Sequence, residues 1–233
     1  MRYAVLNNGR HKIHDERHSM FKRIFISLAI LVTLSGCETA YYGAMEKVGF
    51  HKRDILVDRI EEVRDAQVDV KEQFSSALER FTHELSFDGG ELAAAYELVN
   101  GEYEESQERA DELAARIDSV EEVAEALFDE WNTELQEYSS ASLRRQSTSK
   151  LKDTRRNYGR MLSAMRVTET KMAPVLDTLR DQSLYLKHNL NARAIASLKS
   201  EFGTLKRDIN VLIKDVETSI AAADRFMATL VEQ

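Results

Sequence analysis

The 233-residue sequence contains a single proline, Pro174, and only nine glycines. Proline and glycine both weaken the interior of a helix, so their scarcity permits long uninterrupted helices. Alternating runs of β-branched residues bounded by turn residues are nearly absent, which argues against a sheet. Charged residues make up 31% of the chain, and Ala, Leu, Glu and Arg are common, a composition typical of long helices.

The sequence also lacks the motifs that carry common chemistry. There is no Gly-x-Ser-x-Gly nucleophile elbow, phosphate-binding loop or dinucleotide fingerprint. Beyond residue 37 there are three histidines, and none has the Glu-x-x-His or His-Glu-x-x-His spacing of metal-binding helices: His51, His83 and His188. We therefore predict a non-enzymatic protein with no catalytic residues, no metal site and no evident small-molecule substrate.

Acidic residues outnumber basic ones, and this excess restricts the partners that the chain can bind. The chain carries a formal charge of −8, and from residue 37 onward it has 26 Lys and Arg against 38 Asp and Glu, a charge of −12. An acidic chain of this kind is unsuited to general nucleic-acid binding, which depends on neutralising phosphates.

Cysteine occurs once, as Cys37, which rules out a disulfide within the chain. It follows Leu34-Ser35-Gly36, at the end of an apolar run from Ile24 to Leu34. A helix of about eleven residues would cover roughly 16 Å, well short of a bilayer core of about 30 Å. The run therefore indicates a signal peptide and not a membrane span.

The arrangement around Cys37 resembles a bacterial lipoprotein signal, in which the cysteine is acylated and becomes the mature N-terminus. The resemblance implies a covalent diacylglycerol and an N-acyl lipid on Cys37, and no other cofactor. Glu38 stands where an Asp commonly signals retention in the inner membrane, so the resemblance favours the periplasmic face of the outer membrane. We interpret residues 1–36 as a leader, with 20–36 the signal peptide, and residues 37–42 as a lipidated tether. Residues 1–19 fit no part of a signal, and we expect a misassigned start codon there; the alternative is a cytoplasmic extension.

Residues 43–233 are predicted to form a helical coiled-coil domain, because apolar residues recur at alternating steps of four and three. The predicted helices are 43–85, 91–138, 141–187 and 189–230. In the first, Gln67 is the one polar residue on the apolar seam. We keep one helix across Asn100-Gly101, with room for a local distortion, and expect Pro174 to kink or interrupt the third helix. Ser139 to Ser142 are predicted to form a turn and helix cap.

The predicted fold class is all-α. Segments of similar length joined by short connections imply an elongated antiparallel four-helix bundle with heptad seams. The alternative is a pair of long helical hairpins that associate between chains.

The charges divide unevenly between the second and third helices. Fourteen acids and two bases lie between residues 102 and 137, whereas one acid lies among seven bases further on: Arg144, Arg145, Lys150, Lys152, Arg155, Arg156 and Arg160. These seven bases, called here the basic patch, could bind anionic lipid, lipopolysaccharide or a partner. Alternatively the patch lies against the acidic helix and sets its register, which is the interpretation we favour.

The least generic run in the chain is 184–196, at a predicted connection between helices. Its candidate partner-binding residues are Lys187, His188, Asn189, Asn191 and Arg193. Asparagine also favours turns and caps, so a tight polar turn is the competing interpretation.

Three motifs carry a family resemblance: Ala40-Tyr41-Tyr42-Gly43-Ala44-Met45-Glu46-Lys47-Val48-Gly49, Phe87-Asp88-Gly89-Gly90-Glu91-Leu92 and Ala141-Ser142-Leu143-Arg144-Arg145. Together with His51 to Val57 and the 184–196 run, they resemble uncharacterised proteobacterial lipoproteins grouped as domain-of-unknown-function family 2959. The resemblance implies a lipid-anchored, mostly helical protein and no particular activity.

These observations lead to one expected function and one alternative. We expect a lipid-anchored periplasmic helical protein with a structural or interaction role in the cell envelope, whose partner is an envelope protein or a second copy. The alternative is a carrier module that binds lipid or an anionic membrane through the basic patch.

Overall fold

Four long helices make up the part of the chain that the computed structural model describes, residues 51–86, 92–189 and 192–231. They are α1 (Lys52–Ser86), α2 (Leu92–Glu134), α3 (Ala141–His188) and α4 (Ala192–Val231). These 35 to 48 residues correspond to about 50–70 Å of helix each. No strand occurs in these ranges, so the all-α class is confirmed.

The helices pack as a closed antiparallel ring, with α1 against α2 and α4, and α3 against α2 and α4. The α1–α4 contact shows the antiparallel sense, since Arg64 lies 3.1 Å from Asp224, and Lys71, further along α1, reaches Glu217 earlier in α4. All four helices belong to one chain, so the bundle does not require a hairpin from a second molecule. The elongated up-down-up-down arrangement is confirmed.

The predicted seams form the core. Every apolar seam position predicted on α1 is at most 2% exposed: Leu56, Ile60, Val63, Val70, Phe74, Ala77 and Phe81. On α3 the seam departs by one residue, because Met161 is buried and the predicted Leu162 is half-buried. The heptad spacing therefore identified the buried face of α1. On α3 the prediction was wrong by one residue at this position.

The ends of α3 follow local capping chemistry. The Ser140 side chain accepts a hydrogen bond from the Leu143 backbone N–H at 3.4 Å, and the helix begins at Ala141 as predicted. At the other end Asn189 donates from its backbone N–H to the Leu186 carbonyl and from its side chain to the Tyr185 carbonyl. Asn189 therefore ends α3 and does not begin α4, which starts at Ala192.

The end of α2 and the effect of Pro174 differ from the prediction. α2 ends at Glu134, four residues before Tyr138, in tight turns such as Gln136 N–H to the Thr133 carbonyl. Pro174 does not interrupt α3. Pro174 and Thr170, whose carbonyl lacks its usual i+4 donor, are both exposed, so water can satisfy that carbonyl. α2 also runs through Asn100-Gly101 without a break.

Candidate functional sites on the bundle

Three regions of the described bundle have side chains suited to binding: the basic patch, the end of α3 and the interhelical polar contacts. Within those same residues no group of three His, Cys, Asp or Glu side chains is placed to hold a metal ion. None of the four helices is long and apolar enough to cross a membrane.

The basic patch lies along the first half of α3, and only one member reaches the acidic helix. Arg155 Nη2 donates to the Phe128 carbonyl at 3.3 Å, lies 4.0 Å from the Asp129 carboxylate and stacks over the Phe128 ring. Arg156 pairs within α3 to Asp153 at 2.5 Å. Most of the patch therefore does not serve to pair α3 with α2, contrary to the interpretation we favoured.

The other members of the patch are exposed and lack carboxylate partners among the described residues. Arg144 donates to the Tyr138 carbonyl at 2.7 Å, which ties α3 to the preceding turn. Arg160 donates to Asn157 Oδ1 at 2.5 Å. The three remaining bases point into solvent: Arg145, Lys150 and Lys152. Their charges are available to an anionic partner.

The shortest ion pairs between acidic α2 and α3 are made instead by Arg166, about two turns beyond the patch. Its guanidinium lies 2.6 Å from both Asp118 and Glu121 of α2 and 2.8 Å from Glu169 of its own helix. Hydrogen bonds to Glu121 and Glu169 raise the pKa of Arg166 above its usual value. Sequence reasoning missed this residue because it falls outside the run of bases, although its acidic partners were in view.

The end of α3 exposes a mixed apolar and polar surface, defined here as the α3-end surface: Leu184, Tyr185, Lys187, His188 and Asn189. Leu184 is 50% exposed and Tyr185 is 40% exposed, so two neighbouring residues in the sequence both expose apolar area here. Asn191 lies outside the described residues, as do Cys37 and the tether. Arg193 lies in the first turn of α4, and its side chain is also outside them.

Polar layers cross the core between neighbouring helices. Gln67 Nε2 donates to the Ser219 hydroxyl at 2.6 Å across α1 and α4, and both side chains are fully buried. Between α1 and α2, the buried Glu102 carboxylate accepts from Arg80 at 2.6 Å and from Gln73 at 3.0 Å. These contacts fix how far each helix slides along its neighbour.

Two hydroxyls on α3 lie within the core without a hydrogen-bond partner, those of Thr154 and Tyr158. The Tyr158 ring contacts Phe128 edge-on, with centroids 5.4 Å apart, and Phe226 at 6.0 Å. Burial, with a smaller contribution from Glu121, raises the pKa of Tyr158 above its ordinary 10.0. The phenol is therefore held in its neutral form.

The fold defines a class of protein, the antiparallel four-helix bundle. More particularly, the chain belongs to the family described as "Protein of unknown function (DUF2959)", whose model matches residues 41–230. This confirms the resemblance drawn from the sequence motifs. No curated protein and no solved structure shows a significant match.

Proposed function

We propose that this chain is a lipid-anchored helical bundle with a non-enzymatic structural or interaction role in the cell envelope, on the periplasmic face of the outer membrane. The sequence ending in Leu34-Ser35-Gly36-Cys37, with Glu38 after it, supports the anchor and its location. The observation that carries the interaction role is the α3-end surface. Its exposed Leu184 and Tyr185 offer apolar area beside the polar Lys187 and His188.

Chain connectivity separates the proposed anchor from the proposed partner surface. α1 begins fifteen residues after Cys37, so the chain connects the proposed anchor to the end of the bundle where α1 begins. Lys52, at that end, pairs with Glu130 near the end of α2 at 2.8 Å. The α3-end surface lies at the opposite end, about one helix length away. The bundle would then act as a rod that presents a partner surface at a distance from the membrane.

Metabolic labelling with an alkyne fatty acid tests the anchor. In a Gram-negative host the wild-type chain should take up label at its mature N-terminus, because the modified Cys37 carries acyl chains. The Cys37→Ser variant should take up none and should leave the membrane fraction. Unlabelled wild-type protein, or equal labelling of Cys37→Ser, would contradict the proposal.

A second candidate function, binding to an anionic membrane, is supported by the exposed bases of the patch. Arg145, Lys150 and Lys152 have no carboxylate partner among the described side chains, although the chain as a whole is acidic. They lie near the start of α3, at the same end of the bundle as the start of α1. Bases near an anionic surface contribute about 1 kcal/mol each and act within a Debye length.

Vesicle cosedimentation distinguishes this candidate. Anionic vesicles should bind unlipidated chain at low salt, and replacing those three bases by Gln should weaken the binding. Replacing three bases of α4 by Gln serves as the matched control and should have little effect: Lys206, Arg207 and Lys214. Equal losses in the two triple variants would show that only net charge matters and would remove the patch as a site.

A further inference from the structure

A groove of about 590 Å³ lies between α3 and α4, in the half of the bundle that contains the start of α3. Its walls are one stripe from each helix, at three- and four-residue spacing: Asn157, Arg160, Met161 and Ala164 from α3, and Thr218, Ala222, Arg225, Phe226 and Thr229 from α4. Met161 and Phe226 are almost completely buried and form an apolar floor. The volume lies in the range of sites that hold small molecules.

The helix register places two arginines opposite each other across this groove. Lys171 of α3 pairs with Asp215 of α4 at 2.6 Å. In an antiparallel pair, eleven residues back along α3 from that bridge is Arg160, and ten residues forward along α4 is Arg225. The two cations therefore occupy the same level on facing walls, where like charges repel unless an anion lies between them.

Within the described ranges, no carboxylate lines the groove to neutralise the pair. Arg160 contacts Asn157, and Arg225 is exposed without a partner among the described residues. The nearby acids of α4 are engaged with α1, since Asp224 pairs with Arg64 and Glu217 pairs with Lys71. The charge that would complete the groove is therefore negative and must come from outside the described bundle.

The apolar part of the groove exists because small residues face each other one turn from the arginines. By the same register Ala164 lies opposite Ala222, and both are half-buried. Their short side chains leave a shallow groove above Met161 and Phe226, whose own surfaces are almost completely covered. An apolar channel that begins at a pair of cations fits an acyl chain with an anionic head group.

We propose that the α3–α4 groove binds one amphiphile, with its anionic head group between Arg160 and Arg225 and its acyl chain along Ala164 and Ala222, above Met161 and Phe226. The guanidinium groups would donate charge-assisted hydrogen bonds to the head group. This goes beyond surface attraction to a membrane, because it assigns one molecule to one place, and it does not depend on lipid attachment at Cys37.

Calorimetric titration tests the site on the full-length chain carrying Cys37→Ser, which has no attached acyl group. The probe is dodecyl phosphate below its micelle concentration, and one equivalent should bind. Arg160→Gln and Arg225→Gln should each weaken binding about tenfold, since each removes one charged donor. Ala222→Leu should weaken binding similarly by filling the channel. The leader is common to all variants, so the difference in affinity between variants reports on the groove.

Matched controls separate the groove from the rest of the surface. Lys206→Gln removes an exposed base outside both the groove and the basic patch, and Ala228→Leu adds the same bulk at an exposed position of α4. Neither should change the affinity. Circular dichroism checks that each variant folds, and the two arginine variants keep the test informative if Ala222→Leu fails to fold.

Several results would overturn the proposal. One is equal affinity for wild type and the two groove arginine variants. Comparable binding of inorganic phosphate would indicate an anion site without a chain site, and comparable binding of dodecyl maltoside would indicate apolar binding alone. A dimer in solution that covers the groove and excludes the probe would assign this face to a second copy of the chain.

Discussion

The hydroxyl of Tyr158 destabilises the bundle at a position where its aromatic ring stabilises it. Its ring fills the space between Phe128 and Phe226, but its oxygen is buried without a hydrogen-bond partner. An unpartnered buried hydroxyl costs about 1–3 kcal/mol, while the ring contributes apolar burial and aromatic contact. Because the phenol is buried, its neutral form is favoured, and its ionisation should lower the stability of the bundle.

Tyr158→Phe should therefore leave stability at neutral pH unchanged or raise it by about 1 kcal/mol. The raised pKa means that the native state holds the phenolic proton more tightly than the unfolded chain does. The stabilising effect of that proton is complete below pH 10.0 and is lost as pH rises above it. Wild type should lose stability in that alkaline range, and Tyr158→Phe should lose less, as measured by urea unfolding at several pH values.

Tyr185→Phe is the matched control, because solvent already reaches 40% of that side chain. It should keep the wild-type loss of stability in alkali. If Tyr158→Phe declined above pH 10.0 as steeply as wild type, the buried, neutral phenol would be the wrong description of this residue.

At the scale of the helices, the spacing of apolar residues predicted most of the core. The α1 seam was predicted residue by residue, including Gln67, because a helix that packs along its length buries one stripe. The partner of Gln67 could not be predicted. Ser219 is a small polar residue on α4 whose burial depends on the relative height of two helices far apart in sequence.

The candidate sites were less predictable than the core because they depend on how neighbouring helices are positioned relative to each other. The run of bases from Arg144 to Arg160 was visible in the sequence, but pairing with α2 depends on which side of α3 each base occupies. Arg155 and Arg166 face α2, while Lys150 and Lys152 do not. The position of Arg160 opposite Arg225 across the groove depends on the register between α3 and α4. The apolar periodicity within one helix does not predict that register.

Removing one partner of the Gln67–Ser219 hydrogen bond should lower the stability of the bundle, whereas replacing both partners by apolar residues should not. Ser219→Ala alone leaves both polar atoms of the buried Gln67 amide unpaired and should destabilise the bundle by about 1–3 kcal/mol. The double variant Gln67→Leu with Ser219→Ala should be at least as stable as wild type, because it removes the polar groups together. Urea unfolding measures both.

Gln107→Leu provides the comparison on the surface, where the Gln107 side chain bonds to Asp111 at 2.8 Å. It should change the free energy of unfolding by less than about 0.5 kcal/mol. A double variant less stable than Ser219→Ala would show that the Gln67 amide contributes through its packing and not through this hydrogen bond.

Gly101 lies inside α2 with open space where a Cβ would be added. Gly101→Ala should therefore stabilise the bundle by about 0.5–1 kcal/mol, since the helix interior disfavours glycine by that amount. Thermal unfolding by circular dichroism measures the gain. A lower midpoint would mean that the helix needs glycine here. It would support the local distortion that the sequence allowed at Asn100-Gly101.

At the scale of the whole molecule, the bundle has two chemically different ends. The end where α1 and α3 begin carries the basic patch and the α3–α4 groove. The other end carries the α3-end surface, whose candidate residues from the sequence include a helix cap, Asn189, as well as exposed side chains. A rod tethered at the first end and engaged at the second requires that partner contacts concentrate at one end.

Site-specific photo-crosslinking in cells measures where those contacts occur. A crosslinker placed at Tyr185 or Lys187 should capture a reproducible envelope protein or a second copy of the chain, identified by mass spectrometry. The same crosslinker at Val211, which is 46% exposed on the side of α4, should capture far less. Strong, reproducible capture from the α3-end surface alone is the predicted result. No capture from either position, or equal capture from both, would contradict a rod that engages its partner through the end of α3.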